Sequence, residues 1–148
     1  MKTKLHLLLS LLVLAVSSTL TGCADDGPPY TDYTDPRLIG TWQLIGVNGT
    51  PVGEWDTNYL RFDGQPAYSN MGNGLYGYYD RGSLVVEDMW YQCFNYGGPE
   101  GQQITIEYES GQTSTMEYWF DDPYTLVLQW YTAGGRVMYT YALTDDFL

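Results

Sequence analysis

Lysine and histidine are almost missing from this chain of 148 residues, and both are confined to its first six positions, as Lys2, Lys4 and His6. The rest of the chain therefore cannot build a Ser-His-Asp or Cys-His relay, an imidazole-based zinc site or a lysine nucleophile. A carboxylate pair or tyrosine chemistry is what remains for catalysis, and no catalytic motif is present. We expect no enzymatic activity, no metal site and no cofactor.

Basic charge is scarce beyond residue 23, where four arginines stand against all eighteen carboxylates for a formal charge of −14. Such a surface repels phosphate backbones, which argues against nucleic acid binding. It also disfavours docking on anionic lipid headgroups. A cationic protein partner would meet this surface faster, although a solvated exported surface is the simpler interpretation.

Residues 1–22 have the layout of a secretory signal. Two lysines precede an apolar run over residues 5–16, which is too short for a bilayer span of about 20 residues. The segment ends in Leu20-Thr21-Gly22-Cys23, which resembles the lipobox of bacterial lipoproteins. By this resemblance the chain is cut before Cys23, which then carries the lipid. The alternative is an ordinary cleaved signal that leaves a free exported thiol.

Residues 23–36 are predicted to be the acylated cysteine and a flexible tether, since positions 24–36 hold three prolines and four aspartates. The folded domain is then expected at residues 37–148. Cys93 is left without a partner and is flanked by aromatic residues. It is predicted to be a small buried hydrophobe, so a hydrophobic core must hold the domain together.

Short alternating segments rich in Tyr, Trp, Val, Ile and Thr follow one another from residue 38 onward, separated by Gly, Asp and Pro. This pattern predicts an all-β protein, an antiparallel up-and-down barrel of about eight short strands. The pattern is clearest after residue 104, whereas the Gly-, Asn- and Tyr-rich residues 67–79 indicate an irregular or bulged segment.

Loop parity predicts which side chains face inward in the second half of the chain. An odd loop over residues 110–112 and a second one around 121–123 keep the more apolar positions on one face, and a two-residue turn at Gly134-Gly135 swaps the parity. The inner face then includes Leu126, Leu128, Val137 and Leu143. Its predicted ligand-contacting members are Met116, Tyr118, Trp130, Tyr139, Tyr141 and Tyr108.

Five aromatic rings are unusual for a packed core because each buried hydroxyl needs a hydrogen-bond partner. One interpretation is a cavity with aromatic walls that takes a small-molecule ligand. The alternative is a small barrel filled by its own rings, with the hydroxyls at its rims. The sequence leaves both open.

The first strand resembles the opening of the small lipocalin-like lipoproteins common in Bacteroides-type bacteria, which begin with a Gly-x-Trp strand, here Gly40 and Trp42. Further matches are a Phe-Asp-Gly strand end at 62–64, a Gly-x-Tyr element at 77–79 and Thr-Leu-Val-Leu at 125–128. The resemblance implies that Gly40 and Trp42 belong to the barrel floor. It also implies binding of a small hydrophobic or amphipathic molecule without a chemical step.

The same resemblance implies an outer-membrane lipoprotein, periplasm-facing or surface-exposed, that touches the membrane only through its N-terminal lipid. Two other functions remain open. One is an acidic protein-interaction module, such as an inhibitor of a cationic lysozyme-type enzyme. The other is a carbohydrate-binding module that stacks sugars on Tyr68, Tyr76, Tyr78 and Tyr79.

Overall fold

The computed structural model describes residues 34–67, 70–94 and 101–145. The predicted signal, Cys23, most of the predicted tether and Tyr68 lie outside these residues. A 3₁₀ turn, Pro36–Leu38, comes first in the described part. The strands described are β1 (Gly40–Val47), β2 (Thr50–Pro51), β3 (Asn58–Pro66), β4 (Gly72–Asp80), β5 (Ser83–Phe94), β6 (Gln103–Tyr108), β7 (Thr113–Asp122), β8 (Thr125–Thr132) and β9 (Gly135–Thr144).

Eight of these strands form a closed antiparallel barrel. From β3 to β9 every strand pairs with the next one along the chain, and β1 pairs with both β3 and β9. The two-residue strand β2 is an addition, which folds back on the end of β1 at Gly46 and Val47. The up-and-down barrel of about eight strands predicted from the sequence is therefore confirmed.

The β6–β7 hairpin shows how closely the loop argument located its turn. The Tyr108 N–H donates to the Gln112 carbonyl over 2.9 Å, so the loop covers residues 109–111. Gly111 takes a φ of 83° there, a left-handed conformation that favours glycine. The loop begins one residue earlier than predicted, but its odd length is correct, so the inward face of both strands is correct as well.

In the β8–β9 hairpin, too, the turn begins one residue earlier than predicted and the inward face is correct. Thr132 pairs with Gly135, so the turn is Ala133-Gly134 and not Gly134-Gly135. Both are two-residue loops, and the parity is unchanged. Leu128 consequently faces Tyr139 across the strands, as the alternation predicts.

Strand β8 departs from the prediction at two side chains. Trp130 is on the predicted inner face but lies near the strand end, where 40 % of it is exposed. Gln129 lies on the opposite, outer face, where strand alternation leads us to expect exposure, and yet it is buried. Its Nε2 donates to the Glu117 carboxylate over 2.9 Å and to the Tyr131 hydroxyl over 2.8 Å, so neighbours on the outer face cover it.

The hydrophobic core fills the barrel interior nearest the 3₁₀ turn. It is built from buried inward residues of seven barrel strands together with Leu38, which is fully buried, and β4 adds the partly buried Tyr76. Because side chains alternate between the two faces of a strand, each strand supplies the core from every second position. The largest fully buried side chains are Trp42, Tyr91, Tyr118 and Phe62.

The folded domain begins before residue 37, the boundary predicted from the sequence. Asp35, which the composition placed in the tether, is only 1 % exposed and caps the 3₁₀ turn. The segment 34–38 crosses one end of the barrel, since Thr34 approaches Gly72 on β4 and Arg37 reaches Gln102 before β6. The polar composition of this segment concealed its burial, because one partner of the Asp35 carboxylate is Tyr118, 83 positions further along the chain.

Candidate functional site

The barrel has two different ends. The plugged end is the one crossed by residues 34–38, and the cavity end is the opposite one, where β3, β7 and β9 begin and β6 and β8 finish. A cavity of about 210 Å³ lies at the cavity end. Leu60, Met116 and Leu128 form its apolar part, and all three belong to the core.

Five of the six predicted ligand-contacting residues line this cavity. They are Met116, Trp130, Tyr139, Tyr141 and Tyr108. They come from β6, β7, β8 and β9, whose registers the loop argument had placed on a common inner face. Whether these residues bind a ligand stays a prediction, but the structure brings them together around one space.

Tyr118 does not line the cavity. It lies on the same face as Met116 but two residues further along β7, one layer closer to the plugged end. Its hydroxyl donates to Asp35 Oδ2 over 2.9 Å. Tyr118 is therefore on the predicted face but outside this cavity, because alternation assigns a face and not a depth within the barrel.

Seven cavity-lining residues were not assigned to this site from the sequence, and two of them are Tyr76 on β4 and Glu87 on β5. They face each other as a cross-strand pair and both line the cavity. Tyr76 packs edge-on against Tyr108, with ring centroids 5.0 Å apart, and stacks with Tyr78 at 5.3 Å. The glycine-rich sequence of β4 gives no clean alternation, so its register, and with it this pair, was not readable.

Three tyrosines around the cavity have a raised pKa. Burial, the largest cause, raises the pKa of Tyr108, Tyr76 and Tyr141 above the usual tyrosine value. Neighbouring tyrosines add to this effect, and so does the carboxylate of Glu87 for Tyr76 and Tyr108. The Tyr141 hydroxyl donates to Asn58 Oδ1 over 3.0 Å, which fixes that ring. The cavity therefore combines apolar side chains with phenolic hydroxyls.

The plugged end is closed by Trp42. This side chain is 1 % exposed, and its Nε1 donates to the Leu38 carbonyl over 2.7 Å. Gly40, two residues earlier, has a φ of 138°, and a Cβ there would lie 2.8 Å from Leu143 Cδ1. The Gly-x-Trp element thus packs between the 3₁₀ turn and the end of β9.

A charged cluster accompanies Trp42 at this end. The Asp35 carboxylate accepts hydrogen bonds from the Arg37 guanidinium and from the Tyr118 hydroxyl. Burial alone would raise the pKa of Asp35, but these hydrogen bonds outweigh it and the pKa is lowered. Arg37 also lies over the Phe120 ring, with its Cζ 4.9 Å from the ring centroid. The cluster joins the entry of the chain to β7.

Cys93 is buried at the plugged end, as its aromatic flanks predicted. Burial, partly offset by hydrogen bonding, raises the pKa of its thiol to about 11. A thiol in this state is a poor nucleophile at neutral pH. Nearby, the buried hydroxyl of Tyr91 has no hydrogen-bond partner among the residues that the structure describes.

The tyrosines proposed for sugar stacking do not form one platform. Tyr76 lines the cavity, whereas Tyr79 faces outward against Trp55, with ring centroids 5.3 Å apart. Across residues 34–67, 70–94 and 101–145, histidine, cysteine, aspartate and glutamate never gather in threes as a metal site would need. Within those same ranges no helix has the length and apolarity to cross a bilayer.

No family model matches this chain, and no curated protein matches it. A solved structure of a redesigned β-barrel is similar to it, with 18 % sequence identity and a TM-score of 0.48. That similarity covers 74 % of this chain and 93 % of the redesigned barrel. The resemblance to lipocalin-like lipoproteins stays a prediction from the sequence.

Proposed function

We propose that this chain is an exported, lipid-anchored binding protein whose barrel holds a small hydrophobic or amphipathic molecule. The observation that carries the proposal is the cavity at the cavity end. Its walls combine a tryptophan, four tyrosines and three aliphatic or thioether side chains, which is the mixture typical of ligand pockets. This lining suits the binding of a ligand without a chemical step.

The size of the cavity limits the ligand. At about 210 Å³ it is smaller than ordinary pockets for drug-sized molecules, which measure about 300–1,000 Å³. A ligand of roughly one ring, or the head of a longer molecule, fits this space. Leu60 and Leu128 would contact its apolar part while the Tyr108 and Tyr139 hydroxyls orient its polar part.

The position of the chain entry supports an anchored binding protein. The described chain enters the barrel at Thr34, on the plugged end, and the cavity opens at the opposite end. In our proposal Cys23 carries the lipid, and residues 23–33 can span at most about 40 Å. A domain held by its plugged end presents its cavity away from an outer membrane, on the periplasmic or the outer side.

Native mass spectrometry of the exported protein, purified from a bacterial host in a neutral detergent, tests this function. We expect a small adduct on the wild-type protein that is lost from Tyr139→Leu. Tyr124→Leu is the matched control, because Tyr124 is an exposed turn residue remote from the cavity lining. An adduct that survives Tyr139→Leu, or a wild-type protein without any adduct, would contradict the proposal. The same spectra report the mass added at Cys23.

A second candidate, a protein-interaction module, is favoured by the outer surface. Trp55, Leu84 and Val86 are exposed there around Tyr79, and Trp55 is 60 % exposed. Patches of this kind mark interaction sites, and the charge of −14 beyond residue 23 suits a cationic partner. Pulldown of lysozyme at low and at high salt tests this, since binding that depends on charge must weaken with salt.

A further inference from the structure

One charged side chain lines the cavity, and it is the carboxylate of Glu87. It sits on β5 opposite Tyr76, on the inner face of the barrel. No arginine of the described chain lines the cavity. Arg37 and Arg61 form ion pairs elsewhere, with Asp35 and Asp63. Glu87 belongs to neither of these pairs. Among the described residues, none with a basic side chain lines the cavity beside Glu87.

Aromatic rings surround that carboxylate. Tyr76 and Tyr108 meet edge to face at 5.0 Å, and Trp130, Tyr139 and Tyr141 complete the lining. The negative charge of Glu87 contributes to the raised pKa of both Tyr76 and Tyr108, after the larger effect of burial, so the charge and the rings share one small space. Ring faces carry a negative quadrupole and attract cations.

We propose that the cavity selects a small organic cation, a quaternary ammonium or a protonated amine with an apolar surface. This inference rests on the proposed binding function and names its ligand class. An aromatic enclosure with one carboxylate attracts such a cation twice, through the rings and through the charge. A neutral ligand would desolvate Glu87 without compensation, and an anion would be repelled by it.

The rest of the molecule favours the same ligand. The charge of −14 beyond residue 23 raises the local concentration of cations around the barrel. Arg81 and Arg136 are exposed in or beside turns and do not line the cavity, so neither places its charge against the ligand. A volume of about 210 Å³ admits a trimethylammonium group with a short arm and excludes bulky lipids.

Isothermal titration of the full exported protein with choline tests the inference, and 3,3-dimethylbutan-1-ol is the matched ligand. The two molecules have nearly the same shape, but only choline is charged. We expect saturable binding of choline and at least tenfold weaker binding of the neutral alcohol. The titration is made in a neutral detergent so that the detergent itself does not compete.

Glu87→Gln is the decisive variant, because it keeps the shape of the side chain and removes its charge. We expect it to weaken choline binding tenfold or more and to leave the neutral alcohol unaffected. Glu54→Gln is the matched control, since it removes the same charge from an exposed turn outside the cavity. Tyr76→Leu, which keeps the charge and removes a ring, should also weaken choline binding. Far-ultraviolet circular dichroism confirms that each variant is folded.

Three results would overturn the inference. Equal binding of both molecules, unchanged in Glu87→Gln, would show a cavity that binds ligands but does not select cations, and the proposed function would stand. Equal losses in Glu87→Gln and Glu54→Gln would show that the overall charge, and not the cavity, attracts choline. Binding of neither molecule, in a protein that also lacks an adduct in native mass spectrometry, would remove the proposed function as well.

Discussion

The plugged end and the cavity end of the barrel are built from the same alternating strands, yet residues 34–38 cover the first end, whereas polar side chains face a cavity at the second. At the plugged end, the Trp42 Nε1 and the Tyr118 hydroxyl find partners supplied by residues 35–38. At the cavity end, the Glu87 carboxylate and several tyrosine hydroxyls face the cavity. One inner face thus serves as core at one end and as a candidate site at the other.

What distinguishes the ends is the chain that covers them. Residues 34–38 cross the plugged end and bring a carboxylate, an arginine and a leucine to fill it. Among the described residues, no segment crosses the cavity end as residues 34–38 cross the plugged end. The strands at the cavity end finish in turns. A tyrosine on the inner face is therefore structural or available to a ligand according to which end it occupies.

The largest difference between the ends is expected for their tryptophans. Trp42→Ala removes a fully buried ring at the plugged end and should lower the free energy of unfolding by about 3–5 kcal/mol. Trp130→Ala, at the cavity end, removes a ring that is 40 % exposed and should cost about 1 kcal/mol. Urea unfolding followed by circular dichroism measures both. Equal losses would break the distinction between the two ends.

A smaller effect is expected for Asp35→Asn, which weakens the charged cluster. The variant should lose about 1–3 kcal/mol of stability at pH 7, because a buried acceptor of charged and neutral hydrogen bonds is altered. The partial exposure of Arg37 keeps this loss below that of a fully buried ion pair. Urea unfolding at pH 7, 5 and 3 measures the difference in the free energy of unfolding between wild type and variant, called the stability gap below.

The stability gap between wild type and Asp35→Asn should depend on pH in one direction. Folding lowers the pKa of Asp35 from its ordinary value of 3.8, so the stabilisation is fully present above pH 3.8 and is lost as the pH falls through the folded pKa. The gap should therefore narrow at pH 3. Asp63→Asn is the control, since its ion pair with Arg61 is partly exposed to solvent and should contribute at most about 1 kcal/mol. A gap that is constant with pH would contradict the lowered pKa.

The smallest difference in stability is expected between the loss of the Tyr118 hydroxyl and the loss of the Tyr139 hydroxyl. Tyr118→Phe deletes the donor to Asp35 and should cost about 1 kcal/mol. Tyr139→Phe deletes a hydroxyl at the cavity and should change the stability by less than about 0.5 kcal/mol. Thermal unfolding of both variants, side by side, measures the difference. A larger loss for Tyr139→Phe would show that the cavity end is as tightly satisfied as the plugged end.

The second half of the barrel was predictable because its strands alternate cleanly and its loops have few allowed lengths. The parity of two hairpins was correct even though each turn begins one residue earlier than predicted. Five inner residues consequently fell into one cavity. In the first half, the glycine-rich β4 shows no such alternation, and the pairing of Tyr76 with Glu87 could not be read from it.

The sequence by itself determined the all-β class, the inner face of the last four strands, the burial of Cys93 and the excess of negative charge. These follow from composition and from a period of two, which are local properties of a chain. Tertiary structure decided the depth of each inner residue, the capture of Asp35 by Tyr118 and the place of Glu87 among aromatic rings. Those depend on closure between β1 and β9 and on contacts such as the one between Tyr118 and Asp35, 83 positions apart in the chain, which no local pattern encodes.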